Sequence, residues 1–124
     1  MTLEHNVSLK PYNTLGVEAR ARCFLSVEAL APLGDALAGE GAGMPVLVLG
    51  GGSNILFTRD FEGLVLKNAL RGISVLADTR DHVRVRAAGG EDWHGFVQWC
   101  LQRGFYGLEN LSLIPGTVGA APVQ

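Results

Sequence analysis

The stretch "VLVLGGGSNILF", residues 46–57, governs the reading of this chain. An apolar, β-branched run ends at Gly50, Gly51 and Gly52; Ser53 and Asn54 follow, and the chain turns apolar again at Ile55. "VLVL" (46–49) predicts a strand buried on both faces, because such strands read as unbroken apolar runs rather than alternating ones. The glycines pose a steric question: what comes so close to the main chain that side chains are excluded? Successive glycines can take positive φ, and their N–H groups can then converge into a concave nest for an anion, with Ser53 and Asn54 as donors at its edge. The same residues fit a tight strand-to-strand turn with no ligand equally well.

Three named motifs fail on these residues. A dinucleotide fingerprint GxGxxG from Gly50 needs glycine where Ile55 stands, and "ILFTRDFEG" supplies no long helix after it. A phosphate loop needs Gly-Lys-Ser/Thr, yet Lys10 is the only lysine before Ile55. A nucleophile elbow GxSxG would run Gly51 to Ile55 and fails at its last position, so Ser53 is not read as a nucleophile.

Upstream, "SLKPYNTLGVEARAR" (8–22) reads as an extended lead-in with a turn at Asn13–Gly16, and "RCFLSV" (22–27) as a short strand. Leu30, Leu33 and Leu37 have helical spacing within residues 26–41, with Pro32 tolerable only in the first turn. Strand, helix, buried strand is the βαβ order. Downstream, "LVLK" (64–67), "ISVLA" (73–77) and "VRVRAAG" (83–89) are strand candidates. Val83, Val85 and Ala87 alternate with Arg84 and Arg86, giving one buried and one wet face. A helix over 92–103 carries Trp93, Phe96, Val97, Cys100 and Leu101 on one apolar stripe. Glu91 and Asp92 suit its start, Arg103 its last turn and Gly104 its C′ position.

Composition excludes several classes of function. Of the 124 residues, 48% are apolar and 18% charged, which supplies a core and gives no signature of disorder. The net charge of −2, with Lys and Arg scattered, argues against nucleic acid as a partner. No apolar run approaches the roughly 20 residues of a membrane span, and "MTLEHNVSLKPYN" is no secretory signal, so the expectation is a cytoplasmic protein. Without such a signal, the sequons at Asn6 and Asn110 are coincidental. Cys23 and Cys100 form no CxxC and predict two buried reduced thiols with no metal. His5, His82 and His94 are isolated in sequence; His82 and His94 read as solvated.

A second glycine-rich stretch, "ENLSLIPGTVGAAP" (109–122), sets Gly116, Gly119, Ala120 and Ala121 beside Ile114 and Val118. Small residues at this density let something planar or bulky lie against the main chain. Two such loops, each closing an apolar run, suggest one elongated ligand with a polar middle and an apolar end, such as a dinucleotide or a flavin dinucleotide. The chain stops at an apolar "SLIPGTVGAAPVQ" with no polar tail, which reads as a cut within a larger protein.

Four stretches in order, "SLKPYNTLG" (8–16), "LVLGGGSNILF" (47–57), "AAGGEDWHGFV" (87–97) and "GLENLSLIPGTVGAAPVQ" (107–124), resemble the UDP-N-acetylenolpyruvoylglucosamine reductase (UDP-N-acetylmuramate dehydrogenase) family. The resemblance implies an α+β fold: the N-terminal part of the two-lobed FAD-binding domain of the vanillyl-alcohol-oxidase type. Residues 1–124 would be that domain, incomplete at its C-terminal side, with a first lobe over about 1–68, the start of the second over about 69–124, and no substrate domain. By the same resemblance Gly50, Gly51, Gly52, Ser53 and Asn54 would hold the FAD pyrophosphate through backbone N–H groups. Pro115, Gly116, Thr117, Gly119, Ala120 and Ala121 would line the flavin and its ribityl or adenosine portion. Asn13 and Thr14 would shape an adjoining turn.

The family reaction implies NADPH as co-substrate and a UDP-sugar as substrate: NADPH reduces FAD, and flavin N5 passes a hydride to UDP-N-acetylglucosamine enolpyruvate, giving UDP-N-acetylmuramate for peptidoglycan. The arginine, serine and glutamate that the family uses have no counterpart here, so the expectation is an inactive portion of such an enzyme. It would bind FAD weakly or not at all, and self-associate through apolar surface left uncovered. The alternatives are a non-catalytic nucleotide-binding or interaction module of the same fold and another flavoprotein of that fold.

Overall fold

The computed structural model describes residues 2–124. The chain divides into two compact units, Met1–Ala69 and Leu70–Gln124.

The first unit is a four-stranded sheet with one short helix. Its elements are β1 (Glu4–Ser8), β2 (Arg20–Val27), α1 (Ala31–Ala38), β3 (Val46–Leu49) and β4 (Phe61–Asn68), and the strand order is β1-β2-β4-β3. β1 is antiparallel to β2, whereas β2 and β3 both run parallel to β4. The edge strand β1 precedes the predicted lead-in (8–22), which instead holds a 3-10 turn at Lys10–Tyr12, the expected turn at Asn13–Gly16 and the start of β2 at Arg20. β4 lies between β2 and β3, so the strand–helix–strand order over 22–49 does not place its two strands side by side. β4 also starts earlier than predicted: Phe61 pairs with Ala21 across a register shift, ahead of the regular pairing of Leu64 with Cys23.

β3 departs from the sequence expectation. Val46 is 45% exposed and Val48 66%, while Leu49 is buried. As the last strand of the sheet, β3 covers only one face, and its β-branched residues on the other face remain open. α1 likewise keeps Pro32 in its first turn but buries no residue fully; Leu30 precedes it and Ser26 belongs to β2. The core is built instead by Leu9, Ala19, Ala21, Phe24, Leu49, Phe57 and Val65. Tyr12 packs on Phe24 with ring centroids 4.7 Å apart. A side chain as fully buried as Phe24 contributes on the order of 1.5–3 kcal/mol.

The second unit has a hairpin, β5 (Ile73–Asp78) and β6 (Val83–Ala87), followed by α2 (Trp93–Gln102). Thr79 closes the hairpin turn: its N–H and Oγ1 both donate to the His82 carbonyl, each at 2.9 Å. Along β6 the half-buried and exposed positions alternate as predicted, with Arg84 and Arg86 exposed. α2 ends as its sequence requires. The Asp92 carboxylate accepts the Gly95 N–H at 2.8 Å as N-cap, and Gly104 takes φ +72 just past the last turn. Phe96, Val97 and Cys100 form the buried face of α2. Arg103 stacks on Trp99 with its guanidinium carbon 3.9 Å from the ring centroid.

Candidate functional site

The loop Gly50–Asn54 leaves the end of β3, and what excludes a side chain at Gly52 is the protein itself. Gly52 sits at φ +68, and a Cβ there would stand 2.0 Å from the Tyr12 carbonyl oxygen and 2.8 Å from the Asn13 Cα. The Thr14 N–H donates to the Gly52 carbonyl at 3.0 Å, and Thr14 Oγ1 donates to the same oxygen at 3.3 Å. Asn13 is the buried clamp of this turn. Its Nδ2 donates to the carbonyls of Leu9 (2.8 Å) and Val17 (3.0 Å), and its Oδ1 accepts the Val17 N–H at 3.0 Å. On the other side, the Lys67 ammonium donates to the Gly50 carbonyl.

Loop one is therefore tied down by its carbonyls. In a trans peptide the N–H lies anti to the C=O, and among the described residues there are no cis bonds. With the Gly50 and Gly52 carbonyls held by Lys67 and Thr14, the N–H groups of Gly51 and Ser53 point away from those partners. Among the described residues, no protein acceptor meets the amides of Gly51, Gly52, Ser53 or Asn54. Consecutive unpaired amides beside positive φ are the donor set of an anion nest. The residues present fit a phosphate group.

The loop Pro115–Ala121 is organised differently. The Trp93 N–H donates to the Gly116 carbonyl (3.0 Å) and the Val118 N–H to the Glu91 carbonyl (2.8 Å), closing an antiparallel bridge between Asp92 and Thr117. Gly119 N–H donates to the Gly89 carbonyl, and the amides of Ala120 and Ala121 to the Thr117 carbonyl, all at 3.0 Å. A Cβ on Gly119 would stand 3.0 Å from that Gly89 oxygen, so this glycine serves close main-chain packing. Within the loop only the amides of Gly116 (φ +108) and Thr117 are left without a protein acceptor among the described residues. It offers a small-residue surface with two donors, suited to a ring or a ribityl chain rather than to a phosphate. The two predicted loops fall in different units, the first in Met1–Ala69 and the second in Leu70–Gln124.

Several residues do more than their sequence context indicated. His94 is not merely solvated: Ser112 Oγ lies 2.8 Å from its Nδ1, and the Leu113 N–H donates to the same nitrogen at 3.3 Å. Trp93 Nε1 donates to the Leu111 carbonyl at 2.7 Å. His5 contacts the buried Cys23 thiol through Nδ1 at 3.7 Å and Glu40 through Nε2 at 3.2 Å. Lys67 belongs to the first loop although a lone lysine carries no motif that could have shown this, whereas Thr14, which the resemblance set in an adjoining turn, bonds the Gly52 carbonyl. A groove of about 700 Å³ in the second unit is lined by Val83, Phe96, Cys100 and Phe105 among others, and by no residue of Pro115–Ala121. Among the described residues, no cluster of His, Cys, Asp and Glu could hold a metal ion, and no helix is long and apolar enough to cross a membrane.

Comparison with known proteins decides the family. A profile described as FAD binding domain matches residues 36–124. The chain belongs to the FAD binding domain family. The chain is 55% identical over 122 residues to the UDP-N-acetylenolpyruvoylglucosamine reductase of Pseudomonas putida, covering 98% of the chain and 36% of that protein. The reductases of Pseudomonas aeruginosa and Chromobacterium violaceum are 54% and 55% identical, each matched over all of this chain and 37% of its own length. The crystal structure of UDP-N-acetylenolpyruvylglucosamine reductase from Thermus caldophilus superposes with a TM-score of 0.71 at 29% identity, covering 97% of this domain and 41% of that chain. The α+β class expected from the sequence is borne out. The domain spans little more than a third of the length of these curated relatives.

Proposed function

We propose that this chain is the FAD-binding portion of a cytoplasmic, NADPH-dependent reductase that converts UDP-N-acetylglucosamine enolpyruvate to UDP-N-acetylmuramate in peptidoglycan synthesis. The FAD reading is carried by one observation: among the described residues no protein acceptor meets four successive amides, Gly51 to Asn54, while the Gly50 and Gly52 carbonyls beside them are tied to Lys67 and Thr14. The choice of substrate rests on the names of the relatives, all reductases of one kind over the whole of this chain.

In this reading residues 1–68 are the first lobe of the flavin domain and 69–124 the start of the second. Gly50, Gly51, Gly52, Ser53 and Asn54 hold the pyrophosphate. Pro115, Gly116, Thr117, Gly119, Ala120 and Ala121 line the flavin and its ribityl or adenosine portion, with Gly116 and Thr117 as the amide donors. Held there, FAD would supply hydride-transfer chemistry between NADPH and the enolpyruvyl double bond. Lys67 holds the glycine loop by its Gly50 carbonyl. The protonating residues of the family have no counterpart among these residues, so the chain alone is expected to hold FAD weakly and to carry out no turnover.

Titrating FAD, ADP and riboflavin separately into the isotope-labelled chain, followed by amide NMR, tests the reading. FAD and ADP are expected to shift the resonances of Gly51 to Asn54, and riboflavin those of Gly116 and Thr117. A non-catalytic nucleotide module would answer ADP at the first loop and leave riboflavin without effect at the second. FAD that moves neither loop overturns the reading.

A further inference from the structure

Leu113 is an anomaly. It is one of two non-glycine residues with positive φ among those described, at +64°, and its side chain is 76% exposed. Left-handed backbone is costly for a branched side chain, and persists where surrounding bonds impose it. An exposed leucine recovers little of that cost by packing, so the restraint must come from hydrogen bonds. Two are present, and both end on one atom: His94 Nδ1 meets Ser112 Oγ at 2.8 Å and the Leu113 N–H at 3.3 Å. An amide can only donate, so Nδ1 carries no proton in this arrangement; the neutral ring keeps its proton on Nε2, and the Ser112 hydroxyl donates as well. The backbone of α2 then takes up the chain just beyond, through the Trp93 N–H on the Gly116 carbonyl.

We propose that His94 is a positioning residue for the flavin-lining loop: by accepting from Ser112 and Leu113 at Nδ1, it imposes the left-handed turn that delivers Pro115, Gly116 and Thr117 in their ligand-binding course. The inference rests on the reading of Pro115–Ala121 as that loop. Without the clamp Leu113 relaxes to negative φ, the chain direction entering Pro115 changes, and the two unpaired amides lose their alignment.

Four variants test it: His94→Ala, His94→Asn, Leu113→Gly, and His94→Ala combined with Leu113→Gly. Asparagine sets Oδ1 near the place of Nδ1 and restores the acceptor. Glycine takes positive φ without strain and so has no need of the clamp. The first readout is the φ of residue 113 in the ligand-free chain, from NMR backbone couplings. His94→Ala is expected to lower its left-handed population about tenfold, with His94→Asn near wild type and the double variant left-handed. The second is riboflavin affinity at Gly116 and Thr117, expected to weaken by roughly threefold to tenfold in His94→Ala and to recover in His94→Asn and in the double variant. Equal behaviour of the alanine and asparagine variants, or a Leu113 φ that ignores His94, overturns the clamp. Flavin that moves no loop resonance in the wild type overturns the cofactor reading and the purpose given to the clamp, whereas the coupling data decide separately whether the clamp exists.

Discussion

The Tyr12 carbonyl oxygen lies 2.0 Å from where a Cβ of Gly52 would stand. The Asn13–Gly16 turn and the glycine loop are thus pressed together main chain to main chain, with the Thr14 N–H on the Gly52 carbonyl as the bond between them. Gly52→Ala must both force a left-handed alanine and push the Tyr12 backbone aside. It is expected to destabilise the chain by at least about 2 kcal/mol in urea unfolding. Gly16→Ala is the control: its φ is +65, yet no atom lies within 4 Å of the added Cβ, so its cost should stay near about 1 kcal/mol.

Asn13 satisfies three backbone groups at once from a buried position. Asn13→Ala leaves the Val17 carbonyl and amide unpaired and takes one of two donors from the Leu9 carbonyl, which keeps the Tyr12 N–H; it is expected to cost about 2–3 kcal/mol in the same measurement. Asn13→Asp should cost more at neutral pH, because a carboxylate would face the carbonyls of Leu9 and Val17.

Asp92→Ala removes the N-cap of α2 and is expected to lower stability by about 1 kcal/mol, with Asp92→Asn costing less. Because Glu91 and Trp93 on either side hold the second loop, the amide resonances of Gly116 to Val118 should shift with the alanine variant while those of Gly51 to Asn54 stay in place.

The Gly107 N–H donates to the Glu109 carboxylate at 2.6 Å, and with the Glu109 amide it holds that carboxyl below its ordinary value. A folded value below the unfolded one means that the bond stabilises at neutral pH and fades as pH falls through the folded value. The Gly107 amide shift should therefore titrate with a midpoint below about 4.3, and Glu109→Gln should abolish the titration.

Burial pushes the Cys100 thiol up, partly opposed by the Arg103 guanidinium. Its contribution is intact below about pH 8.5 and lost as pH rises through the folded value, so the unfolding midpoint should fall in alkaline buffer, and less so in Cys100→Ala. In native buffer, Ellman's reagent should react slowly with both buried cysteines and quickly in denaturant.

Much of this fold was legible where the signal is local. Asp92, the apolar stripe and Gly104 bound α2 closely, since capping and helical period act over a few residues. Pro32 marked the first turn of α1 for the same reason. The alternation of β6 showed its two faces. "VLVL" misled, because a continuous apolar run says nothing of how many neighbours a strand has; β3 lies last in the sheet and leaves Val46 and Val48 open. Both loops stood out by their glycines, but two of their anchors did not: Lys67 and His94 carry no pattern, and they reach the loops across long stretches of chain.

By itself, the sequence determined where the main chain must turn and come close, because a missing Cβ is a local property written in the residue type. The tertiary structure alone decided what comes close. At Gly52 the backbone of Tyr12 fills the space, and at Gly119 that of Gly89, while the amides of Gly51 to Asn54 meet no protein acceptor among the described residues. Hydrogen-bond partners far apart in the chain are chosen by folding and leave no periodic trace in sequence, so the glycines marked the loops and only the fold separated packing from binding.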